Sequence, residues 1–415
     1  MSRELARRIA FTIGALLLFR LGTQVPFVGM GAPSPSFSGE HVVRFSIFAL
    51  GILPYLTAAI VVRLVSLVSR RLSSLERSGE RGRRRISGYT LIVTLVFTTF
   101  QAYGYASTIR TIPALVPDPD AWPVLAATAS IVGGVFVLVW LSEQITRHGI
   151  GNGLALLLSV NILVHVPVDI VGIARLLQDG QVSGSVVLFH ALVWIGVVAL
   201  IVFVEGARRN VRVEFAERRL GGRLGGRLGG RLGDRLLPAR AAVLPIKINS
   251  AGFLVPATVA PWILFLPVAG LAYIFGADTP WVAAAYRQLG FGMLAHLVLG
   301  SVAIFVLAFI YTAYVVDPEH AAKSLAARDG TIPGVAPGEA TANYLDRVVS
   351  LTTVVGAVYL TVLQLIPEVF ELYGIGLPYS MMINGGGALV VVCTALDIKT
   401  QVRDVSLTNP GGVRR

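Results

Sequence analysis

The run VVLFHALVWIGVVALIVFV, residues 186–204, decides the fold class, because it contains no Asp, Glu, Lys or Arg. A helix needs about 20 mostly apolar residues to cross the hydrocarbon core of a bilayer. Residues 291–316 and 376–396 form two further runs without a charged side chain. These three runs predict helices that span a membrane.

Weaker apolar runs extend the same pattern over the rest of the 415 residues. Hydrophobic residues make up 54% of the chain and charged residues only 14%, against about 25% charged in a soluble domain. This composition excludes an ordinary soluble enzyme and a disordered chain, and the single cysteine, Cys393, excludes a disulfide-stapled domain. We predict an all-α integral membrane protein with ten transmembrane helices, the other seven at residues 9–29, 45–69, 86–107, 121–142, 150–168, 250–277 and 348–367.

The basic residues are sorted to one side of the predicted membrane. Ten spans place both termini on the same face, and the segments of that face hold 29 of the 35 Lys and Arg residues. The opposite face holds four basic residues, and the remaining two, Arg20 and Arg63, lie within predicted spans. Because basic residues mark the cytoplasmic side, this sorting predicts cytoplasmic termini. The segments of this basic face are residues 1–8, 70–85, 143–149, 205–247, 317–347 and 397–415.

Two of these loops are long enough to form docking surfaces. Residues 205–247 contain eleven basic residues and, from Arg219, a fourfold Arg-Leu-Gly-Gly-like repeat ending at Asp234. The glycines disfavour a helix, which leaves two readings open: a flexible linker, or a basic finger that binds phosphate or an acidic partner. Residues 317–347 contain two Pro-Gly pairs, which predict tight turns.

No pattern in the sequence is typical of an enzyme. The six histidines are too far apart along the chain for local zinc spacing, and no phosphate-binding loop or nucleophile elbow is present. We therefore expect no catalytic residue, metal site or cofactor. A small-solute secondary transporter is the alternative function, but it needs an ionisable site within the bundle, and we expect no Asp or Glu inside any span.

The run SIFALGILPY, residues 46–55, resembles the start of the second transmembrane helix of the SecY family, the channel subunits of the bacterial Sec translocon. Each further match is weak alone, but all occur in the family's order along nearly the whole chain. They are GRRRIS at 82–87, EQIT at 143–146, GIGNG at 149–153, LPIK at 244–247, IPGVAPGE at 332–339 and LIPE at 365–368.

The resemblance implies two inverted five-helix halves, residues 1–172 and 173–415, around an hourglass pore. It implies a passive channel in the bacterial inner membrane that exports unfolded preproteins and releases membrane segments sideways into the lipid bilayer. The partners implied are SecE and SecG as companion subunits, the SecA motor or the ribosome as the driving force, and signal sequences and nascent polypeptides as cargo. DNA is not among the expected partners.

The resemblance also implies a ring of aliphatic side chains that closes the waist of the pore. Apolar side chains at a narrow constriction exclude water, so a hydrated ion is opposed there while flexible side chains can fit around a polypeptide. The seventh-helix position is Thr258 if one gap is allowed and Ala257 without it. The predicted ring is Ile52, Leu56, Leu154, Leu158, Thr258 and Val391.

Three features depart from the family pattern. Residues 28–45 form a shorter segment than members carry for the plug beneath the ring, so any plug helix is expected to be vestigial. Ala336 stands where the family has an arginine tied to partner action, and the Arg-Leu-Gly-Gly repeat is extra. These departures suggest a streamlined or accessory member. Docking of SecA or the ribosome is expected at Arg208, Arg209, Arg212, Arg218, Arg219, Arg223, Pro337, Gly338 and Glu339.

Overall fold

The computed structural model describes residues 3–28, 46–110, 121–215, 241–252, 279–289, 293–374, 377 and 385–408. Twelve helices lie in these ranges: α1 (Arg3–Gly22), α2 (Leu53–Val68), α3 (Arg70–Arg77), α4 (Glu80–Arg110), α5 (Ala121–His148), α6 (Gly153–Gln178), α7 (Gly184–Gly206), α8 (Pro280–Gln288), α9 (Leu294–Val315), α10 (Pro318–Ala326), α11 (Glu339–Leu372) and α12 (Gly385–Thr408). Three short strands complete the described elements: β1 (Arg208–Phe215), β2 (Ala241–Lys247) and β3 (Gly330–Thr331).

Nine of the ten predicted spans coincide with a helix, and nearly all of the remaining one, at 250–277, lies outside the described residues. Within the described part of the chain, α4, α5, α6, α7, α9 and α11 are each long and apolar enough to cross a membrane. The predominantly helical membrane architecture is therefore confirmed.

The outer surface of α7 shows why this chain needs a lipid environment. Leu192, Ile195 and Phe203 are 59%, 66% and 74% exposed, although all three side chains are large and apolar. A water-soluble protein avoids such a continuous apolar surface, whereas hydrocarbon chains solvate it. The helix therefore buries only a narrow stripe, which includes Val197 and Ile201, against the bundle.

Helix α11 is longer than the predicted span and changes one expectation about charge. Its 34 residues extend about 50 Å, well beyond the roughly 30 Å hydrocarbon core. The helix also continues through Pro367, where the sequence predicted the span to end, and places Glu368 in the interior at 1% exposure. The expectation that no acid lies inside a span was wrong, because a proline that usually ends a helix is here accommodated within one.

Helices α6 and α12 join the two parts of the chain. The Ser159 and Thr394 hydroxyls are 2.9 Å apart, and the Gly151 amide donates to Oε1 of Gln401 at 2.8 Å. Helix α6 runs to Gln178, so the predicted boundary between residues 172 and 173 falls inside it, and residues 179–183 form the connection to α7.

A three-stranded sheet in the order β2-β1-β3 accompanies the helices. Strand β1 pairs antiparallel with β2, from Arg208 opposite Lys247 to Glu214 opposite Ala241. It also pairs antiparallel with β3, with Phe215 opposite Gly330. The sheet therefore joins the 205–247 loop to the 317–347 loop, which places both on one face of the molecule.

Adjacent glycines in α5 provide a matched test of how closely α5 packs against residue 47. A Cβ at Gly134 would collide with the Ile47 carbonyl oxygen, whereas a Cβ at Gly133 meets no atom within 4 Å. We expect Gly134→Ala to cost about 1–3 kcal/mol by overpacking and to lower the thermal unfolding midpoint by several degrees. Gly133→Ala should leave the midpoint unchanged or raise it, and equal midpoints for the two variants would contradict the close approach of α5 to residue 47.

Candidate functional site

The entry to α2 positions two of the predicted ring residues. Gly51 has a φ of +59°, which turns the chain before the helix, and Pro54 in the first turn favours the helical backbone. Ile52 and Leu56 follow at 3% and 6% exposure. The Leu56 amide donates to the Ile52 carbonyl oxygen at 3.2 Å, so the two side chains lie one turn apart.

The start of α6 positions two more of the predicted ring residues. Asn152 caps the helix, since its Oδ1 accepts from the amides of Leu154 at 3.0 Å and Ala155 at 3.4 Å. The neighbouring Gly153 amide donates to Thr146 Oγ1 at 2.9 Å, which ties this turn to α5. Leu154 is half-buried and Leu158 is buried, one turn further along the helix.

These side chains meet in one hydrophobic cluster. Ile52, Leu56 and Leu158 belong to its buried core, and Leu154 packs against that core. On α12, Val391 is half-buried and follows Val390, which is itself a core member. Thr258, and the alternative Ala257, lie outside the described residues. The structure thus brings four of the six predicted ring residues, Ile52, Leu56, Leu154 and Leu158, into one cluster, of which Val391 is not a member.

A cavity of about 440 Å³ lies directly against this cluster, and we call it the central cavity. Leu56, Ile60 and Leu154 contribute its apolar wall. The remaining lining is largely polar or charged and comes from α2, α5, α9 and the turn before α6: Tyr55, Arg63, Ser142, Glu143, Thr146, Arg147, Asn152 and Tyr311. The central cavity therefore lies between this apolar cluster and a set of polar and charged side chains.

The sheet and the helices beneath it form a second feature, which we call the platform: β1, β2, β3, α10 and the first three turns of α11. Val211 and Val213 point inward from β1 and pack with Ile332, Leu345 and Val348 in a small core of their own. Arg208 and Arg212 alternate with these valines and are exposed. The alternation places the basic side chains on the outer face of the platform.

Residues 330–339 form the projecting edge of the platform. Gly338 has a φ of +95°, which favours glycine, and Glu339 begins α11 directly after it. The Thr341 hydroxyl donates to the Ala336 carbonyl oxygen at 2.8 Å and holds the turn against the helix. Ala336, Pro337, Gly338 and Glu339 are all exposed, as expected for a docking edge.

Among the other predicted docking residues, Arg209 is also exposed on β1. Arg218, Arg219 and Arg223 lie outside the described residues, together with the rest of the Arg-Leu-Gly-Gly repeat. Residues 29–45, where the sequence leaves little room for a plug, lie outside them too. The sequence predicted that the two long loops together form the docking surface, and the pairing of β1 with β3 joins their described parts.

Two interactions within the bundle were not predicted. Arg63 Nη1 on α2 donates to the Tyr311 hydroxyl on α9 at 3.3 Å. His296 Nε2 on α9 lies 3.5 Å from Oε1 of Glu368 on α11, and both side chains are almost fully buried. Each pair joins residues more than 70 positions apart, so no local spacing could have revealed it. Arg20, on α1, donates to the Thr23 hydroxyl at 3.4 Å.

Comparison with known proteins decides the family. The family model described as SecY matches residues 46–399. The protein translocase subunit SecY of Escherichia coli strain K12 is 34% identical over 427 residues, which cover 98% of this chain and 93% of that protein. The chain belongs to the SecY family. The protein translocase subunit SecY of Vibrio cholerae is 35% identical, over 96% of this chain and 91% of that protein.

Solved structures agree with this SecY-family fold. A solved protein-conducting channel superposes with a TM-score of 0.67 at 15% identity and covers 99% of this chain and 95% of that one. The Sec61 channel of the canine ribosome-channel complex from the endoplasmic reticulum superposes with a TM-score of 0.62 at 16% identity, with the same coverage of both chains. At these identities the likeness establishes the fold alone.

The core of the platform gives a test of its assembly. Truncating Val213 to alanine removes buried methyl groups, and we expect a loss of about 1–2 kcal/mol of local stability. Amide hydrogen exchange should therefore accelerate in β2 and β3 together, because both strands pair with β1. Arg212→Ala, on the outer face of the same strand, is the control. Faster exchange in β2 alone would contradict a shared core.

Proposed function

We propose that this chain is the membrane channel through which unfolded polypeptides leave the cytoplasm and from which membrane segments enter the bilayer. The observation that carries the proposal is the central cavity ending on the buried Ile52–Leu56–Leu158 cluster. A chamber with both polar and apolar lining residues suits an unfolded chain, which exposes backbone groups and apolar side chains alike. An aliphatic constriction beneath it opposes hydrated ions without binding any one sequence tightly.

We propose that the full constriction is a ring of Ile52, Leu56, Leu154, Leu158, Thr258 and Val391. The clustering of the described members supports this assignment. The sequence predicts that the two halves meeting at the ring are residues 1–172 and 173–415. We propose that the boundary between them lies at residues 179–183, which connect α6 to α7. The inverted relation between the halves is part of the proposal and follows from membership of the family.

The proposed orientation places the platform and both termini in the cytoplasm. The bias of 29 basic residues to one face against four on the other supports it, because basic loops are retained on the cytoplasmic side. The central cavity then opens towards the cytoplasm, since Glu143, Thr146 and Arg147 in its lining belong to the segment 143–149 of the basic face. The chain lies in the bacterial inner membrane in this proposal.

The proposed driving force comes from a partner, since the sequence has no nucleotide-binding motif. We propose the SecA motor or the ribosome as that partner and SecE, with SecG, as companion subunits. One structural neighbour is the Sec61 of a ribosome-channel complex. The exposed Arg208, Arg209 and Arg212 supply the positive charge that ribosomal RNA or an acidic protein surface would contact.

The alternative function, a small-solute transporter, has one observation in its favour. His296, Glu368 and Gln364 form a buried polar cluster, in which Gln364 Nε2 donates to Oε1 of Glu368 at 3.2 Å. Buried ionisable groups are typical of proton-coupled carriers. However, none of the three lines the central cavity, so the cluster fits better as a contact between α9 and α11.

Reconstitution distinguishes the two functions. Proteoliposomes containing the chain with SecE and SecG, supplied with SecA and ATP, should protect a preprotein from added protease. They should not accumulate labelled sugars, amino acids or ions against a gradient. Solute accumulation without preprotein protection would overturn the proposal, and a preprotein lacking its signal sequence is the control for specificity.

The platform predicts a salt-dependent interaction. The double variant Arg208→Ala and Arg212→Ala should bind the ribosome or SecA about tenfold more weakly, because two charge contacts are lost. Its binding affinity should also depend less steeply on salt concentration.

Deleting residues 220–234 should weaken the same binding if the repeat is a basic finger. Unchanged affinity in both variants would exclude docking here, while loss in the arginine pair alone would favour the linker interpretation of the repeat. Arg175→Ala, on the opposite face, is the control.

A further inference from the structure

Two polar side chains connect the base of the platform to the end of α7. Asn249 lies two residues after β2 and is buried, and its Nδ2 donates to Oε1 of Glu205 at 2.8 Å. Glu205 belongs to the last turn of α7 and is half-buried. Beside this contact, the Ile248 amide donates to the Ala207 carbonyl oxygen at 3.4 Å. We call the Glu205–Asn249 pair the joint, because it holds a strand of the platform to a helix of the bundle.

The segment that carries Asn249 lies directly on α11. A Cβ at Gly356, on α11, would be 3.2 Å from the Ile248 carbonyl oxygen and 3.3 Å from Asn249 Cα. The absence of a side chain at Gly356 therefore permits this close approach. Asn249 is thus held between a hydrogen-bond partner on α7 and the backbone of α11, which leaves it little freedom to move alone.

The other side of the joint reaches the hydrophobic cluster of the constriction. The Cys393 thiol on α12 donates a hydrogen bond to the Glu205 carboxylate, and the Tyr359 side chain on α11 interacts with it electrostatically. Cys393 and Tyr359 are both buried and belong to the cluster that contains Ile52 and Leu56. One carboxylate therefore contacts the base of the platform and the constriction cluster at the same time.

The contacts of Glu205 are directional, unlike the apolar contacts around them. A polar group removed from water is costly unless it keeps its hydrogen bond, and a low local dielectric strengthens that bond. If Asn249 moves with the platform, Glu205 has to follow or leave the buried amide unpaired. Apolar contacts carry no such requirement, since burial of apolar surface has no preferred direction. A shift of β2 is therefore coupled to α7 and α12 chiefly through the joint.

We propose that Glu205 and Asn249 are positioning residues that couple partner docking on the platform to the opening of the constriction. The inference rests on the proposed channel function. The two arrangements are a constriction closed against ions and one wide enough for a polypeptide. A docked partner shifts the platform, Asn249 moves with β2, and Glu205 passes the shift to α12 through Cys393. Docking favours the open arrangement only while the joint is intact.

The first test separates coupling from docking in proteoliposomes that contain the chain with SecE and SecG. Glu205→Ala should lower the rate of preprotein translocation at saturating SecA about tenfold, while the dissociation constant of SecA changes less than about twofold. Asn249→Ala should have the same effect, and the double variant should add little, because both substitutions remove one bond. Unchanged translocation in both single variants, or a loss that higher SecA concentration restores, would overturn the coupling.

Two further variants separate the joint from general stability. Glu205→Gln keeps an oxygen that accepts from Asn249, so it should retain about half of the rate or more. Tyr359→Phe removes a buried hydroxyl that has no hydrogen-bond partner within the described part of the chain, so it should leave the rate unchanged. A loss in Tyr359→Phe as large as that in Glu205→Ala would show that disturbance of the cluster, and not the joint, sets the rate.

A second measurement needs no polypeptide. Coupling between two sites is reciprocal, so a change that loosens the constriction has to alter the affinity at the platform. Leu158→Ala shortens a buried side chain of the constriction and should strengthen SecA binding in lipid nanodiscs about three- to fivefold. The gain should disappear when Glu205→Ala is also present. The same gain in both backgrounds, or no gain in either, would overturn the coupling. An unsubstituted chain that binds SecA but translocates no preprotein would count against the channel function alone.

Discussion

The packing of α6 against α12 is the constraint on which the rest of the bundle depends. It joins the first and second parts of the chain through the Ser159–Thr394 hydroxyl pair and the bond from Gly151 to Gln401. Polar contacts of this kind bring helices together where the surroundings offer no hydrophobic driving force. Because α6 also carries Leu154 and Leu158, the same contact that joins the two parts of the chain fixes one side of the hydrophobic cluster.

The platform gives the second part of the chain a rigid extension outside the membrane. Strand β1 follows α7 after one residue, and α11 passes from the small core around Val213 directly into the bundle. A force applied at the platform therefore acts on two membrane helices at once. This arrangement suits a passive channel, since the energy for moving a polypeptide comes from a partner.

Much of the fold could be predicted from the sequence because each span carries its own signal in an apolar run such as residues 186–204. The ring residues and the docking edge could be predicted only through motif resemblance, since a pair such as Ile52 and Leu56 has no distinguishing local pattern. Three features were beyond prediction for physical reasons. The continuation of α11 through Pro367 depends on its packing, the pairing of β1 with β3 joins residues more than 100 positions apart, and the Arg63–Tyr311 contact joins the two halves.

The central claim, that a polypeptide passes through the constriction formed by Ile52, Leu56 and Leu158, can be measured directly. A photo-reactive amino acid at Leu56 or Leu158 should crosslink a preprotein arrested midway by a folded domain at its end. The same probe at Phe203, which is 74% exposed on the lipid side of α7, should crosslink lipid and not the arrested chain. Crosslinks to the arrested chain at Leu56 and Leu158 that require SecA and ATP are the predicted result. Their absence, with the preprotein nonetheless protected from protease, would contradict the account.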